Sequence, residues 1–138
     1  MAPAVAKNTV PVVGAVSIYP DVLFEDTSVS CNFSVTDIDA DPLSSNVDWI
    51  VNGSVVATGG DLTGDDFNRG DTVACAVTAS DDEAAGEMVS STPTIVGNSA
   101  PSVDEVNISP AAVYTGTTVS CEAAVTDIDG DDLEIVYG

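Results

Sequence analysis

The sequence predicts an all-β protein, an antiparallel β-sandwich with one complete repeat followed by the first half of a second. Three observations lead to this class. Apolar and polar residues alternate with period two in several short segments, and glycine, aspartate and asparagine mark turns between them. No stretch of the 138 residues has the spacing of an amphipathic helix. Finally, one part of the sequence recurs in another at a constant offset, which sets the domain organisation.

That offset is 90 residues. Residues 10–43 align with residues 100–133 without a gap, so that Cys31 corresponds to Cys121, and the block Val-Thr-Asp-Ile-Asp occurs at 35–39 and again at 125–129. An offset that stays constant through strands and turns indicates one structural unit used more than once. We therefore predict the tail of a preceding repeat, a linker or a donor strand over residues 1–9. A complete domain follows over 10–97, and the N-terminal half of a second domain over 98–138.

The complete repeat is predicted to consist of strands separated by turns. Its clearest strands cover residues 27–36 and 72–79, where every second residue is apolar. A shorter strand over 47–51 leads through the turn pair Asn52-Gly53 into a strand over 54–58. Residues 11–19 are expected to begin the unit and residues 87–96 to end it. Residues 133–137 are expected to start the third strand of the next unit.

Two cysteines lie on the inward faces of the two clearest strands. Cys31 and Cys75 are 44 residues apart, with Trp49 between them. In a β-sandwich such cysteines can bridge the facing sheets, with an indole packed against the bridge. A bridge closing a loop of this length stabilises a fold by up to ~4 kcal/mol on the chain-entropy model. The alternative is a pair of buried free thiols. Cys121 corresponds to Cys31 in the second repeat.

These motifs resemble the tandem immunoglobulin-like repeats of large surface and secreted proteins of prokaryotes. The segments that carry the resemblance are Val-Ser-Cys at 29–31, Val-Thr-Asp-Ile-Asp-Ala-Asp at 35–41, Trp-Ile-Val-Asn-Gly at 49–53, Gly-Asp-Thr-Val-Ala-Cys-Ala-Val-Thr at 70–78 and Val-Gly-Asn-Ser-Ala-Pro at 96–101. The resemblance implies an immunoglobulin-like topology and a role in stalks, adhesins or fibres, without catalysis. The chain departs from eukaryotic members, because Val73 occupies the tyrosine-corner position two places before Cys75.

Acidic loops supply the candidate metal ligands. Carboxylates at alternate positions near a turn are the oxygen donors that a hard cation such as Ca²⁺ requires. In an immunoglobulin-like topology the loop after the second strand and the loop before the last strand lie at the same end, so the second loop would add its carboxylates to the first. The predicted ligands are Asp37, Asp39, Asp41, Asp81, Asp82, Asp127, Asp129 and Asp131. The alternative is that these aspartates shape turns and keep the surface acidic.

Three Asn-x-Ser triplets are candidate acceptors for N-linked glycans. They begin at Asn32, Asn52 and Asn107. Asn32 is expected to point outward from its strand and Asn52 to lie in a turn, so both would be accessible. Such triplets also arise by chance in chains rich in serine and threonine.

The charge composition restricts the partners and the chemistry. The chain has 23 acidic and 2 basic residues, a net charge of −21, and no histidine. Clustered cations for binding nucleic acid or an anionic membrane surface are therefore missing. The commonest general acid–base residue is missing as well. No apolar run is long enough for a membrane-spanning helix.

We therefore predict a non-enzymatic structural module of an extracellular or cell-surface fibre, stalk or filament. Its partners would be adjacent immunoglobulin-like repeats or copies of itself, arranged end to end. Two ways of completing the half-repeat stay open: strands added by a neighbouring subunit, or one long continuous array. The alternative function is an adhesin or virion-surface module that binds carbohydrate or protein through its loops.

Overall fold

The computed structural model describes residues 6–138 and shows strands and turns with no helix among them. The all-β prediction is confirmed, and the packed sheets are consistent with a β-sandwich. The predicted tail or donor strand over 1–9 lies partly outside the described residues, and residues 6–9 are in no strand. The strands are β1 (Val12–Val13), β2 (Ser17–Tyr19), β3 (Ser30–Asn32), β4 (Val35–Thr36), β5 (Ser44–Val51), β6 (Ser54–Thr58), β7 (Thr72–Ser80), β8 (Val89–Ser90), β9 (Thr94–Ile95), β10 (Ser102–Ser109) and β11 (Ser120–Thr126).

The largest sheet has five strands in the order β6-β5-β7-β8, with β9 also paired to β7. β5 and β7 pair antiparallel over their full overlap, from Ser44 opposite Ser80 to Val51 opposite Val73. The predicted turn between β5 and β6 is confirmed. Asn52 and Gly53 have φ values of 52° and 83°, the left-handed conformation that a two-residue type I′ hairpin needs at both central positions.

Two short ladders, β1–β4 and β2–β3, face this sheet through the core. The predicted continuous strand over 27–36 is wrong, because the ladder is interrupted where three residues, 14–16, oppose two, 33–34. This one-residue excess is a β-bulge, which leaves a residue unpaired and bends the strand. The chains stay close at the bulge, where the Gly14 N–H donates to the Ser34 carbonyl at 2.7 Å.

The repeat reproduces the bulge. β10 and β11 pair antiparallel, and their register shifts between Val103 and Glu105, the positions that correspond to Val13 and Ala15 in the first repeat. At the bulge itself Asp104 replaces Gly14, and Ala124 replaces Ser34. The Asp104 carboxylate accepts hydrogen bonds from the Ser102 and Thr126 hydroxyls at 3.1 and 2.8 Å.

The core lies between the five-stranded sheet and the two short ladders. Its largest fully buried side chains are Trp49 and Phe67, followed by Leu23 and Leu62. The indole nitrogen of Trp49 donates to the Gly60 carbonyl at 2.9 Å, which satisfies its one polar atom. β7 is the central strand, and its alternation of Val73, Cys75, Val77 and Ala79 faces the core as predicted.

The chain divides into two compact units, the first ending at Gly97 and the second beginning at Asn98. Within the second unit the strands are β10 and β11, whose side chains are mostly exposed. The strand predicted over 133–137 is wrong, since these residues form no ladder. Their counterparts in the first unit, residues 43–47, lie at the start of β5, which pairs with β6 and β7. Residues 98–138 contain no segment equivalent to β6 or β7.

Candidate metal centre

The loop that follows β4 folds its aspartates around one point. The Asp37 carboxylate accepts the Asp39 N–H at 2.7 Å, and the Asp37 carbonyl accepts the Ala40 N–H at 3.2 Å. This is an Asx turn, which aspartate favours, and it is closed by Ala40 with a φ of 58°. The turn brings one carboxylate oxygen each from Asp37, Asp39 and Asp41 within 4.8 Å of one another. We call these three residues the first triplet.

The second repeat builds the same loop. The Asp127 carboxylate accepts the Asp129 N–H at 2.8 Å, and the Asp127 carbonyl accepts the Gly130 N–H at 3.2 Å. Gly130 has a φ of 73°, the conformation that Ala40 adopts in the first repeat. Oxygens of Asp127, Asp129 and Asp131, the second triplet, again lie within 4.8 Å of one another.

Each triplet also holds the backbone where the chain enters its unit. The Thr9 N–H donates to the Asp39 carboxylate at 2.6 Å. The Ser99 N–H donates to the Asp129 carboxylate at 2.5 Å. Thr9 and Ser99 are 90 residues apart, so the contact repeats with the sequence. We did not predict these donors from side-chain chemistry, because they are backbone groups. The sequence does contain one indication of these contacts, because the 90-residue repeat extends upstream of Pro11 and Pro101 to include Thr9 and Ser99.

The loop between β7 and β8 reaches the first triplet. The Asp81 carboxylate accepts the Asn8 side-chain amide at 2.9 Å and the N–H groups of Glu83 and Ala84, both at 2.7 Å. These bonds, led by that from Asn8, stabilise the charged form and lower the pKa of Asp81 below its ordinary value of 3.8. The carboxylates of Asp81 and Asp82 are near enough to act on Asp41.

Asp41 shows the electrostatic consequence of this crowding. Its pKa is raised above 3.8, first by loss of solvation and then by repulsion from Asp37, Asp39, Asp81 and Asp82. A cation bound beside Asp41 would offset this repulsion.

Within residues 6–138, one buried carboxylate oxygen in each triplet has no hydrogen-bond donor. These atoms are Oδ2 of Asp37 and Oδ1 of Asp129. An anionic oxygen that is shielded from water and lacks a donor is costly. A cation in contact with this oxygen would satisfy it. Both triplets therefore suit a hard divalent cation, for which carboxylate oxygens are the preferred ligands. The predicted ligands Asp81 and Asp82 belong to neither triplet, and they act on Asp41 through their charge.

The predicted disulfide is present. Cys31 of β3 and Cys75 of β7 are bonded, with their Cα atoms 6.2 Å apart. Trp49 lies directly opposite Cys75 in the β5–β7 ladder and belongs to the same core cluster. The bridge therefore ties a short ladder to the central strand of the large sheet. Cys121, the counterpart of Cys31, is an exposed free thiol.

The three candidate glycan acceptors are all exposed, but two of their amides are engaged. The Asn52 amide nitrogen donates to the Asp71 carboxylate at 2.8 Å, and its oxygen accepts the Thr72 N–H at 3.0 Å. The Asn107 amide nitrogen donates to the Glu105 carboxylate at 2.8 Å. A glycan on either nitrogen would leave a single N–H to make this bond. Asn32 lies at the end of β3.

Among the described residues, no helix is long and apolar enough to cross a membrane. Comparison of the chain with protein-family models, with curated proteins and with solved structures found no match.

Proposed function

We propose that this chain is a non-enzymatic structural module of an extracellular fibre, stalk or filament built from immunoglobulin-like repeats, and that Ca²⁺ stiffens the end at which the chain enters each repeat. The observation that carries the proposal is the repeated contact between the incoming backbone and a triplet. Thr9 is held by Asp39 and Ser99 by Asp129 in the same way. A hydrogen bond that recurs at the same place in successive repeats is expected of a feature that serves the whole array of repeats rather than a single domain.

The contacts form a continuous mechanical connection. Tension along the chain reaches the unit at Thr9, which is bonded to the loop after β4. The strand before β4 is β3, and Cys31 joins it covalently to β7 at the centre of the large sheet. Force entering the unit is thereby passed to its best-buried strand. The absence of histidine and the placement of the carboxylates in turn loops favour this structural role over catalysis.

Calcium fits the triplets by charge and by ligand type. Each triplet offers three carboxylates and one oxygen without a donor. Ca²⁺ takes six to eight oxygens, and backbone carbonyls and water complete such sites. Neutralising the triplet would remove the repulsion that raises the pKa of Asp41. The disulfide supports an oxidising, extracellular location, because such bonds persist there and are rare in the cytosol.

Thermal unfolding in EDTA and in Ca²⁺ tests the proposal. At a Ca²⁺ concentration of 100 times the dissociation constant, binding stabilises the folded state by about 2.7 kcal/mol. For a unit of this size we expect the Tm to rise by roughly 10–20 °C. Asp39→Asn removes one charge of the first triplet and should abolish most of the rise in unit 1. Asp65→Asn, an exposed aspartate outside both triplets, is the matched control and should leave it unchanged. Equal Tm values in EDTA and Ca²⁺ would contradict the calcium-stiffened array.

A further inference from the structure

The second unit exposes a continuous apolar face formed by β10 and β11. An open depression of about 250 Å³ lies on it, lined by the side chains of these strands and by residues 135–138. The residues that define this surface, which we call the open face, are Val103, Val106, Cys121, Ala123 and Val125. Exposed apolar surface of this kind in a folded protein marks an interaction site.

The first repeat shows what this face is for. Every residue of the open face has a counterpart, 90 positions earlier, that lies in the core of unit 1 or packs against it. Val13 is buried there, and the partly buried residues packed against this part of the core include Val16, Cys31, Phe33 and Val35. The difference in burial is large. Val13 is 7% exposed and Val103 is 64% exposed. The same holds for two neighbouring core positions, since Val29 is 0% and Val119 is 46% exposed, while Leu23 is 1% and Val113 is 53% exposed.

In unit 1 the cover of this face is the large sheet. Val77 and Ala79 of β7 and Val47 of β5 pack on the residues equivalent to the open face, and Cys75 of β7 is bonded to Cys31. Trp49 fills the space beside the disulfide. The internal repeat thus specifies the chemistry of a cover: two antiparallel strands, apolar on one side, with a cysteine facing Cys121.

We propose that the open face binds the second half of a repeat of this kind, a β5–β7-like strand pair, and that Cys121 forms a disulfide with its cysteine. This inference rests on the proposed repeat architecture and not on calcium. Two open faces packed against each other would make a poorer core. The strands would bring together only valine, alanine and cysteine, and neither copy would supply a cysteine placed like Cys75 or an indole placed like Trp49 in unit 1.

The covalent step can be followed directly. A polypeptide of residues 43–97 serves as the probe, with its Cys75 carried as a mixed disulfide with glutathione. The Cys121 thiolate attacks the Cys75 sulfur, a bond forms between the two cysteines, and the glutathione thiolate leaves and takes up the proton that Cys121 lost. No other oxidant is needed. The Cys31–Cys75 bond of the intact chain is already closed and its Cys75 is fully buried, so Cys121 is the reacting thiol.

The experiment mixes the full chain with this probe and measures the Cys121–Cys75 adduct by mass spectrometry. We expect the adduct to form at least about tenfold faster than with a probe whose β7 residues are scrambled, because docking raises the local thiol concentration. Val103→Asn should reduce the rate to that of the scrambled probe. Ile128→Asn is the matched control, since its counterpart Ile38 is 83% exposed in the complete repeat, and it should react at the wild-type rate.

Two results would overturn the proposal. One is an equal rate for the native and scrambled probes. The other is a chain that is already a dimer through Cys121, with β10 and β11 protected from hydrogen exchange before any probe is added, which would identify a second copy as the occupant.

A second experiment needs no separate probe, because the strands that would cover the open face are fused to the end of the chain. Gly138 lies 90 residues after Asp48, so a copy of residues 49–97 appended after Gly138 continues the repeat in register. A second disulfide, from Cys121 to the copied cysteine, is the expected product. A Cys121 thiol that still reacts with a thiol reagent in the extended chain refutes the idea. The calcium titration is made without probe or extension, so the failure of one proposal is distinguishable from the failure of the other.

Discussion

The Cys31–Cys75 disulfide determines how far unit 1 can lengthen when it is pulled open. With the bond intact, the loop between the cysteines cannot contribute to the extension. At roughly 3.5 Å per residue the 44-residue separation holds about 150 Å of chain, of which the two Cα atoms, 6.2 Å apart, already span a small part. Reduction should therefore increase the contour length released on unfolding by about 150 Å.

Single-molecule stretching measures this difference. A Cys121→Ser chain, attached through its two termini, would be unfolded with and without a reductant. The Cys121→Ser change prevents cross-links between molecules. We also expect the reduced unit to unfold at lower force, because the bond stabilises the fold by up to ~4 kcal/mol on the chain-entropy model. A chain that also carries Cys31→Ser and Cys75→Ser should match the reduced form. Equal contour lengths in the two states would refute the view that the bridge removes this loop from the load.

Three further predictions concern unit 1. The Asn52 amide lowers the folded-state pKa of Asp71 below 3.8, so this carboxylate stabilises the fold above that pH and the contribution is lost as the pH falls through the lowered pKa. Asp71→Asn should therefore reduce the loss of stability below pH 3.8, measured by urea unfolding at a series of pH values. Trp49→Phe removes the bond to the Gly60 carbonyl and opens a small cavity, and should cost about 2 kcal/mol in equilibrium urea unfolding. Gly53→Ala places a side chain at φ 83° and should cost about 1 kcal/mol, seen as a lower urea midpoint with an unchanged slope. A midpoint equal to wild type in either variant would contradict the corresponding contact or conformation.

The strands that lie fully inside the first unit were predictable from sequence. β7 was predicted over 72–79 and spans Thr72–Ser80, because its alternation is continuous and its burial is decided by neighbours on both sides. The Asn52-Gly53 hairpin and the Cys31–Cys75 bridge followed from local turn chemistry and from two cysteines on inward faces.

The errors share a cause in non-local pairing. The alternation over 27–36 is real, yet the ladder breaks there because the partner segment carries one extra residue at Gly14–Val16, which no pattern in 27–36 reveals. Residues 133–137 have strand composition, but a strand exists only with a partner. Local sequence therefore indicates the propensity of a segment to form a strand. Whether a partner strand exists, and in which register it pairs, depends on other parts of the chain.

The candidate site was predictable to a similar degree. The alternate spacing of Asp37, Asp39 and Asp41 is visible in the sequence, whereas the orientation of their oxygens depends on the Asx turn. The sequence does not predict that Oδ2 of Asp37 is buried without a hydrogen-bond donor, because this depends on where the folded loops place their N–H and O–H groups.

The bulge shared by the two repeats links two positions on opposite strands. In unit 1 a Cβ at Gly14 would overlap the Ser34 hydroxyl, and in unit 2 the side chain of Asp104 stands where the opposing residue is Ala124. In each unit, therefore, only one of the two opposing residues at the bulge has the larger side chain: Ser34 in unit 1 and Asp104 in unit 2. A larger residue at Gly14 would therefore require the Ser34 hydroxyl to turn away, whereas Ala124 has no such group to move. Substitutions at these two positions are thus expected to depend on each other, and a repeat with Gly and Ala there would tolerate a larger side chain on either strand.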